Sequence, residues 1–128
     1  MEERSVWRGT GQSGSDTVYA DKQLAITRTM SPPGLALAGA IDYFNVEAAM
    51  ESLALAVDAD GDCNIELSGL EFCDVSGIRA IVTLAEHRNG RGRLLLHGLP
   101  SQLQRVMTIV GWSDMPGLVI CNGNRGQA

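Results

Sequence analysis

The segment EFCDVSGIRAI, residues 71–81, places a hydroxyl and a carboxylate between an apolar strand-like run and an amphipathic helix-like run. Asp74 can cap a helix beginning there, because its side chain would accept hydrogen bonds from the free backbone N–H groups. Gly77 would allow close packing, and Ser76 would then lie in the first helical turn. Alternatively, the same N–H groups and the helix dipole would stabilise a phosphate on Ser76. The residues alone leave both readings open.

Catalysis by Ser76 is the enzymatic alternative. Serine hydrolases also place the nucleophile between a strand and a helix, but their GxSxG motif has glycine where this chain has Asp74. His87 would lie roughly 16 Å along the same helix from Ser76, at 1.5 Å per residue, which is too far for a general base. His97 ends a buried strand, where a packed histidine is the usual case. We therefore predict that the protein is not an enzyme.

The composition excludes several further classes of function. A chain of 128 residues is the size of one domain, and its net charge of −5 disfavours binding to nucleic acid. The basic cluster Arg88, Arg91 and Arg93 is interpreted as a solvated turn. No segment approaches the roughly 20 apolar residues of a membrane span, and no signal peptide is visible, so we expect a cytoplasmic protein.

The cysteine pattern argues against a disulfide framework and a metal site. The chain has three cysteines, Cys63, Cys73 and Cys121, and no CxxC pair. No cofactor is predicted.

Strand-like and helix-like patterns alternate along the chain and predict an α/β fold. The expected elements, in order, are strands at 23–30 and 35–42, a helix capped by Asn45, a strand at 63–70, a helix from Asp74, a strand at 93–99, a helix after Pro100 and a strand at 117–120. This β-β-α-β-α-β-α-β order predicts a mixed, mostly parallel sheet with crossover helices. Loops after parallel strands meet at one sheet edge, so Asp42 should lie near Ser76.

Three stretches carry a family resemblance. GLALAGAIDYFNVEAAMESL, IELSGLEFCDVSGIRAIVTL and LLLHGLPSQLQRVMTIVGW resemble, in this order, the STAS domain of bacterial anti-sigma factor antagonists. The likeness covers about residues 23–121. We therefore expect a single STAS domain over residues 22–121, between a flexible leader at 1–21 and a flexible tail at 122–128.

The resemblance implies a regulatory role for Ser76. In this family, the serine before the glycine at the start of the second helix is phosphorylated by a partner that is both serine kinase and anti-sigma factor. The preceding position, usually Ser or Thr, is Val75 here, and Asp42 matches the family's acidic residue near the phosphorylation site. The implied partner-binding residues are Asp42, Asp74, Val75, Ser76, Gly77, Arg79 and Thr83.

The same resemblance implies a partner-switching mechanism that regulates sigma-factor-dependent transcription. The unmodified protein would capture the kinase, and phosphorylation of Ser76 would release it. ATP would be bound by the kinase and not by this chain. A phosphatase and a second copy of the chain are further candidate partners. The alternative is a ligand-sensing or scaffolding STAS module in which Ser76 is not phosphorylated.

Overall fold

The computed structural model describes residues 16–57, 61–88 and 90–121. These residues form a sheet of six strands, three α-helices and a short 3-10 helix. The elements in chain order are β1 (Thr17–Ala20), β2 (Leu24–Met30), β3 (Pro33–Ile41), α1 (Val46–Ala56), β4 (Cys63–Cys73), α2 (Val75–His87), β5 (Leu94–His97), α3 (Ser101–Val110), the 3-10 helix (Trp112–Asp114) and β6 (Leu118–Cys121).

The strands lie in the sheet in the same order as in the chain. The pairs β1–β2 and β2–β3 are antiparallel, whereas β3, β4, β5 and β6 run parallel to one another. Because crossovers between parallel strands are right-handed, this progression places all three helices on one face of the sheet. The predicted mixed, mostly parallel α/β architecture is confirmed.

The first strand lies in a region that we expected to belong to the leader. Residues 17–20 form β1 and pair with β2, with Ala20 opposite Ala25. Four residues are too few for an alternating pattern to stand out, so the pairing with β2 was not visible in the sequence. The rest of the predicted leader up to residue 15, and the predicted tail at 122–128, lie outside the described residues.

The core lies between the helices and the sheet and is aliphatic. Leu35, Ile65 and Leu96 are register neighbours on β3, β4 and β5, and all three are buried. Position 39 of β3 requires glycine, because its φ is +113° and a Cβ there would lie 1.9 Å from the Gln23 carbonyl oxygen. The β3–β4 register shifts between Ala36 and Ala38 and again between Gly39 and Ala40, after which Ile41 pairs with Cys73.

Arg88 corrects the interpretation of the basic cluster as a solvated turn. Its side chain is 2% exposed, and its guanidinium donates to the carbonyl oxygens of Val57, Gly61 and Gly92. Arg93 does lie at the surface and pairs with Asp62 at 2.9 Å. Arg88 is buried because three carbonyl groups from the end of α1 and from two loops converge on it.

Candidate functional site

The start of α2 is built as the sequence predicted. Asp74 is the N-cap in extended conformation, and its Oδ1 accepts a hydrogen bond from the Gly77 N–H at 3.2 Å. The Ser76 hydroxyl donates to the same oxygen at 2.5 Å. One carboxylate oxygen therefore both caps the helix and holds the half-buried hydroxyl in place.

Gly77 allows α2 to begin directly against the ends of β3 and β4. A Cβ at this position would lie 2.6 Å from Cys73 Sγ and 2.9 Å from Ile41 Cγ2. Burial, and then the charge of Asp74, raises the pKa of Cys73 to about 11. The thiol is therefore protonated at neutral pH and is a packing group under the helix, not a nucleophile.

The loop after β3 lies beside the start of α2. Ile41 and Cys73 are register partners, and the Asp74 N–H donates to the Ile41 carbonyl at 3.2 Å. Asp42 Oδ1 accepts from the Phe44 N–H at 2.9 Å. The Gln23 side chain, followed by the backbone N–H groups of Phe44 and Asn45, holds the pKa of Asp42 below its usual value. Asp42 therefore directly follows the residue that is hydrogen-bonded to Asp74, at the same edge of the sheet.

The Asn45 side chain stabilises this loop through hydrogen bonds. It occupies the predicted N-cap position of α1, but its side chain makes no capping hydrogen bond. Instead, its Oδ1 accepts from the Asp42 N–H at 2.9 Å, and its Nδ2 donates to Asp21 at 3.1 Å and to Ala40 at 3.0 Å. The Tyr19 hydroxyl, then the Gln23 N–H, lowers the pKa of Asp21 to about 2. The β1–β2 turn is therefore linked to the loop after β3 through Asn45.

Two aromatic side chains project from this loop. Tyr43 and Phe44 are 77% and 91% exposed, and their rings stack edge to face with centroids 5.9 Å apart. Phe72 and Val75, at the same sheet edge, are also exposed. Sequence reasoning included Val75 in the site but missed the three aromatic side chains. The available signal was an aromatic pair in a turn of a chain whose aromatic content is only 5%.

An open apolar groove runs along the outer surface of α1 and α2. Its volume is about 710 Å³. The α1 side is formed by Val46, Glu47, Met50, Glu51 and Ala54, and the α2 side by Val75, Ser76, Arg79, Ala80, Thr83, Leu84 and His87. Both helices begin at the edge of the sheet where the parallel strands end. Ser76 therefore lies at the end of the groove nearest the loop that carries Tyr43 and Phe44, here called the aromatic loop.

The structure brings most of the predicted site residues together. Val75, Ser76, Arg79 and Thr83 line the groove, and Asp42 and Asp74 lie on the two loops at its end. Gly77 is buried in the first turn of α2. The α1 side of the groove was not predicted as part of the site, because its residues fit an ordinary amphipathic helix.

Residues 16–57, 61–88 and 90–121 contain no group of three His, Cys, Asp or Glu side chains that could hold a metal ion. The three cysteines, all within these residues, are free thiols. No helix in these ranges is long and apolar enough to cross a membrane.

The fold is that of a STAS domain. Residues 24–120 match the family described as "Mlab, STAS domain", and the chain belongs to this family. The match spans all elements except β1 and the last residue of β6.

A solved structure has a similar fold. An anti-sigma factor antagonist from Mycobacterium paratuberculosis superposes with a TM-score of 0.61 and 16% sequence identity, over 75% of this chain and 83% of that chain. No curated protein sequence matches the chain.

Proposed function

We propose that this protein is a cytoplasmic anti-sigma factor antagonist that binds an anti-sigma serine kinase and is released when Ser76 is phosphorylated. The main supporting observation is the position of the Ser76 hydroxyl, which lies at the end of an exposed apolar groove and is held by Asp74. A modification there changes the charge of the surface without entering the core.

The binding surface comprises the α1–α2 groove and the aromatic loop. Exposed aromatic side chains are enriched among the residues that contribute most to protein interfaces. Tyr43 and Phe44 lie on a loop whose backbone is hydrogen-bonded, so little backbone entropy is lost when a partner binds it. Both features favour association with a protein partner.

Phosphorylation transfers the γ-phosphoryl group of ATP, bound by the kinase, to Ser76 Oγ. ADP and the hydroxyl proton are released. The modified oxygen can no longer donate to Asp74, and a charge of about −1.5 to −2 is placed next to that carboxylate. Because the Gly77 N–H already donates to Asp74, we expect the phosphate to turn away from Asp74 toward the groove.

The phosphate weakens binding by desolvation and repulsion. A dianion buried under a partner beside Asp74 must lose its hydration next to a like charge. A tenfold loss of affinity needs only about 1.4 kcal/mol, which this cost readily exceeds. The fold itself is retained, because the cap and the core do not depend on the Ser76 hydroxyl.

The local geometry favours a switch over catalysis by Ser76. The acceptor of the Ser76 hydroxyl is the Asp74 carboxylate, which is engaged in capping. His97 binds Asn64 Oδ1 through its Nε2 at 2.7 Å. His87 is at the opposite end of α2 from Ser76.

Phosphopeptide mapping tests the proposal. The protein is incubated with ATP and the purified anti-sigma kinase of the source organism, and the modified residue is identified by mass spectrometry. We expect phosphate on Ser76, none on the Ser76→Ala variant, and full modification of Ser68→Ala, which removes an exposed hydroxyl on β4. Binding without modification of Ser76 would favour the ligand-sensing or scaffolding alternative.

A further inference from the structure

We infer that the α1–α2 groove receives an amphipathic α-helix of the kinase partner, with a basic flank toward α1 and an acidic flank toward α2. The inference rests on the proposed function and adds the kind of element that docks, its charge pattern and the residues that select it.

The floor of the groove matches an apolar helix stripe. It consists of Val46, Met50, Ala54, Ala80 and Leu84. Ala54 and Ala80 are small and allow close approach, while Met50 adapts its shape to the side chain that it contacts. Between Val75 and His87, α2 spans about 18 Å at 1.5 Å per residue, which is the length of a docked helix of about 12 residues.

The occupant must satisfy its own backbone hydrogen bonds. Both walls of the groove are helices, whose interior N–H and C=O groups are paired within the helix, and none of the strands in the described ranges contributes a residue to its lining. An extended peptide would therefore leave its backbone groups unpaired against an apolar floor. A helix pairs these groups internally and presents only side chains, as in other helix-in-groove complexes.

The rims of the groove differ in charge. On α1, the exposed Glu47 and Glu51 are four residues apart and lie on one side of the helix. On α2, the lining residues include Arg79 and no carboxylate. This asymmetry fixes the rotation of the docked helix about its own axis. If its two flanks were exchanged, its acidic side would face Glu47 and Glu51 and its basic side would face Arg79.

The groove is continuous with the switch residue. Ser76 belongs both to its lining and to the capped start of α2. Phosphate on Ser76 would thus lie at one end of the docked helix, which explains how one modification could disrupt the contact.

Two pairs of variants test the inference by titration calorimetry with the purified kinase. Glu47→Lys combined with Glu51→Lys should weaken binding at least tenfold, whereas Glu86→Lys combined with Asp114→Lys makes the same charge change at exposed sites outside the groove and should leave the affinity unchanged. Ala54→Trp should fill the groove and weaken binding at least tenfold. Ala48→Trp alters another exposed alanine of α1 and should not.

The occupant is identified by photo-crosslinking. Benzoylphenylalanine at position 54, but not at 48, should crosslink to a helical kinase segment with basic residues beside its apolar stripe. Equal behaviour of the two positions, or a crosslink to a second copy of this chain, would overturn the inference while leaving the proposed function intact. A kinase that neither binds nor modifies the wild-type protein would overturn both.

Discussion

A single carboxylate, that of Asp74, connects the stability of α2 with the state of Ser76. Asp74→Ala removes the cap from the Gly77 N–H, and we expect the free energy of unfolding to fall by about 1 kcal/mol. Asp74→Asn keeps an acceptor oxygen and should lose less. Urea denaturation followed by circular dichroism measures both. Equal losses would show that the negative charge, and not the cap, is what stabilises α2.

Replacing Gly77 with alanine should change the free energy of unfolding in the direction opposite to the usual one. Alanine normally stabilises a helix interior relative to glycine, by up to about 1 kcal/mol. Here the new Cβ would contact Cys73 Sγ and Ile41, so we expect Gly77→Ala to destabilise the protein by about 1–3 kcal/mol.

Removing the Cys73 sulfur tests whether its contact with the new Cβ causes the loss of stability. In a double-mutant cycle, Cys73→Ala should recover part of the loss caused by Gly77→Ala, because it leaves only the Ile41 contact. Strictly additive effects would contradict this account of the packing.

Asp21 gives the protein a specific response to acid. Its folded-state pKa of about 2 lies below the ordinary value of 3.8. The carboxylate therefore contributes stability that is fully present above about pH 4 and is lost as the pH falls toward 2. Asp21→Asn should flatten the stability profile between pH 4 and 2, as measured by urea midpoints. Glu71→Gln, at an exposed site of β4, is the control, and a similar flattening there would refute the assignment.

Among the helices and strands, the elements with clear periodicity were predictable and the contacts between their ends were not. The stripe Ile78, Ile81, Val82 and Ala85 of α2 is buried as expected. The burial of Arg88 and the inward turn of the Asn45 side chain depend on carbonyl groups distant in the chain. A local pattern does not encode such partners.

The Arg88 contacts join the end of α1 to the end of α2. We expect Arg88→Ala to lower the free energy of unfolding by about 3 kcal/mol, because several charged hydrogen bonds are lost and buried carbonyls are left unpaired. Arg88→Lys should restore little, since an ammonium group cannot span Val57, Gly61 and Gly92 as the guanidinium does. Recovery of wild-type stability by lysine in thermal unfolding would show that charge alone suffices.

For the protein taken as one unit, the sequence predicted the mixed, mostly parallel sheet over β2–β6 and a common edge for Asp42 and Ser76. It did so because crossover rules bring Asp42 and Ser76 to one edge, and helical spacing brings Arg79 and Thr83 to one face. Tyr43, Phe44 and the α1 wall were missed, since exposure depends on what the fold leaves uncovered. We propose that this α/β domain binds its partner at the Ser76 edge of the sheet and that a phosphate on Ser76 weakens this binding.

Titration calorimetry against the anti-sigma kinase tests this account most directly. Wild-type protein, Ser76→Ala, Ser76→Glu and the Ser76-phosphorylated protein are compared. We expect similar affinities for wild type and Ser76→Ala, weaker binding by Ser76→Glu, and the weakest binding by the phosphoprotein, whose dianion exceeds the single charge of glutamate. Equal affinities of the wild-type, Ser76→Glu and phosphorylated forms would contradict the switch and leave the ligand-sensing or scaffolding module as the better account.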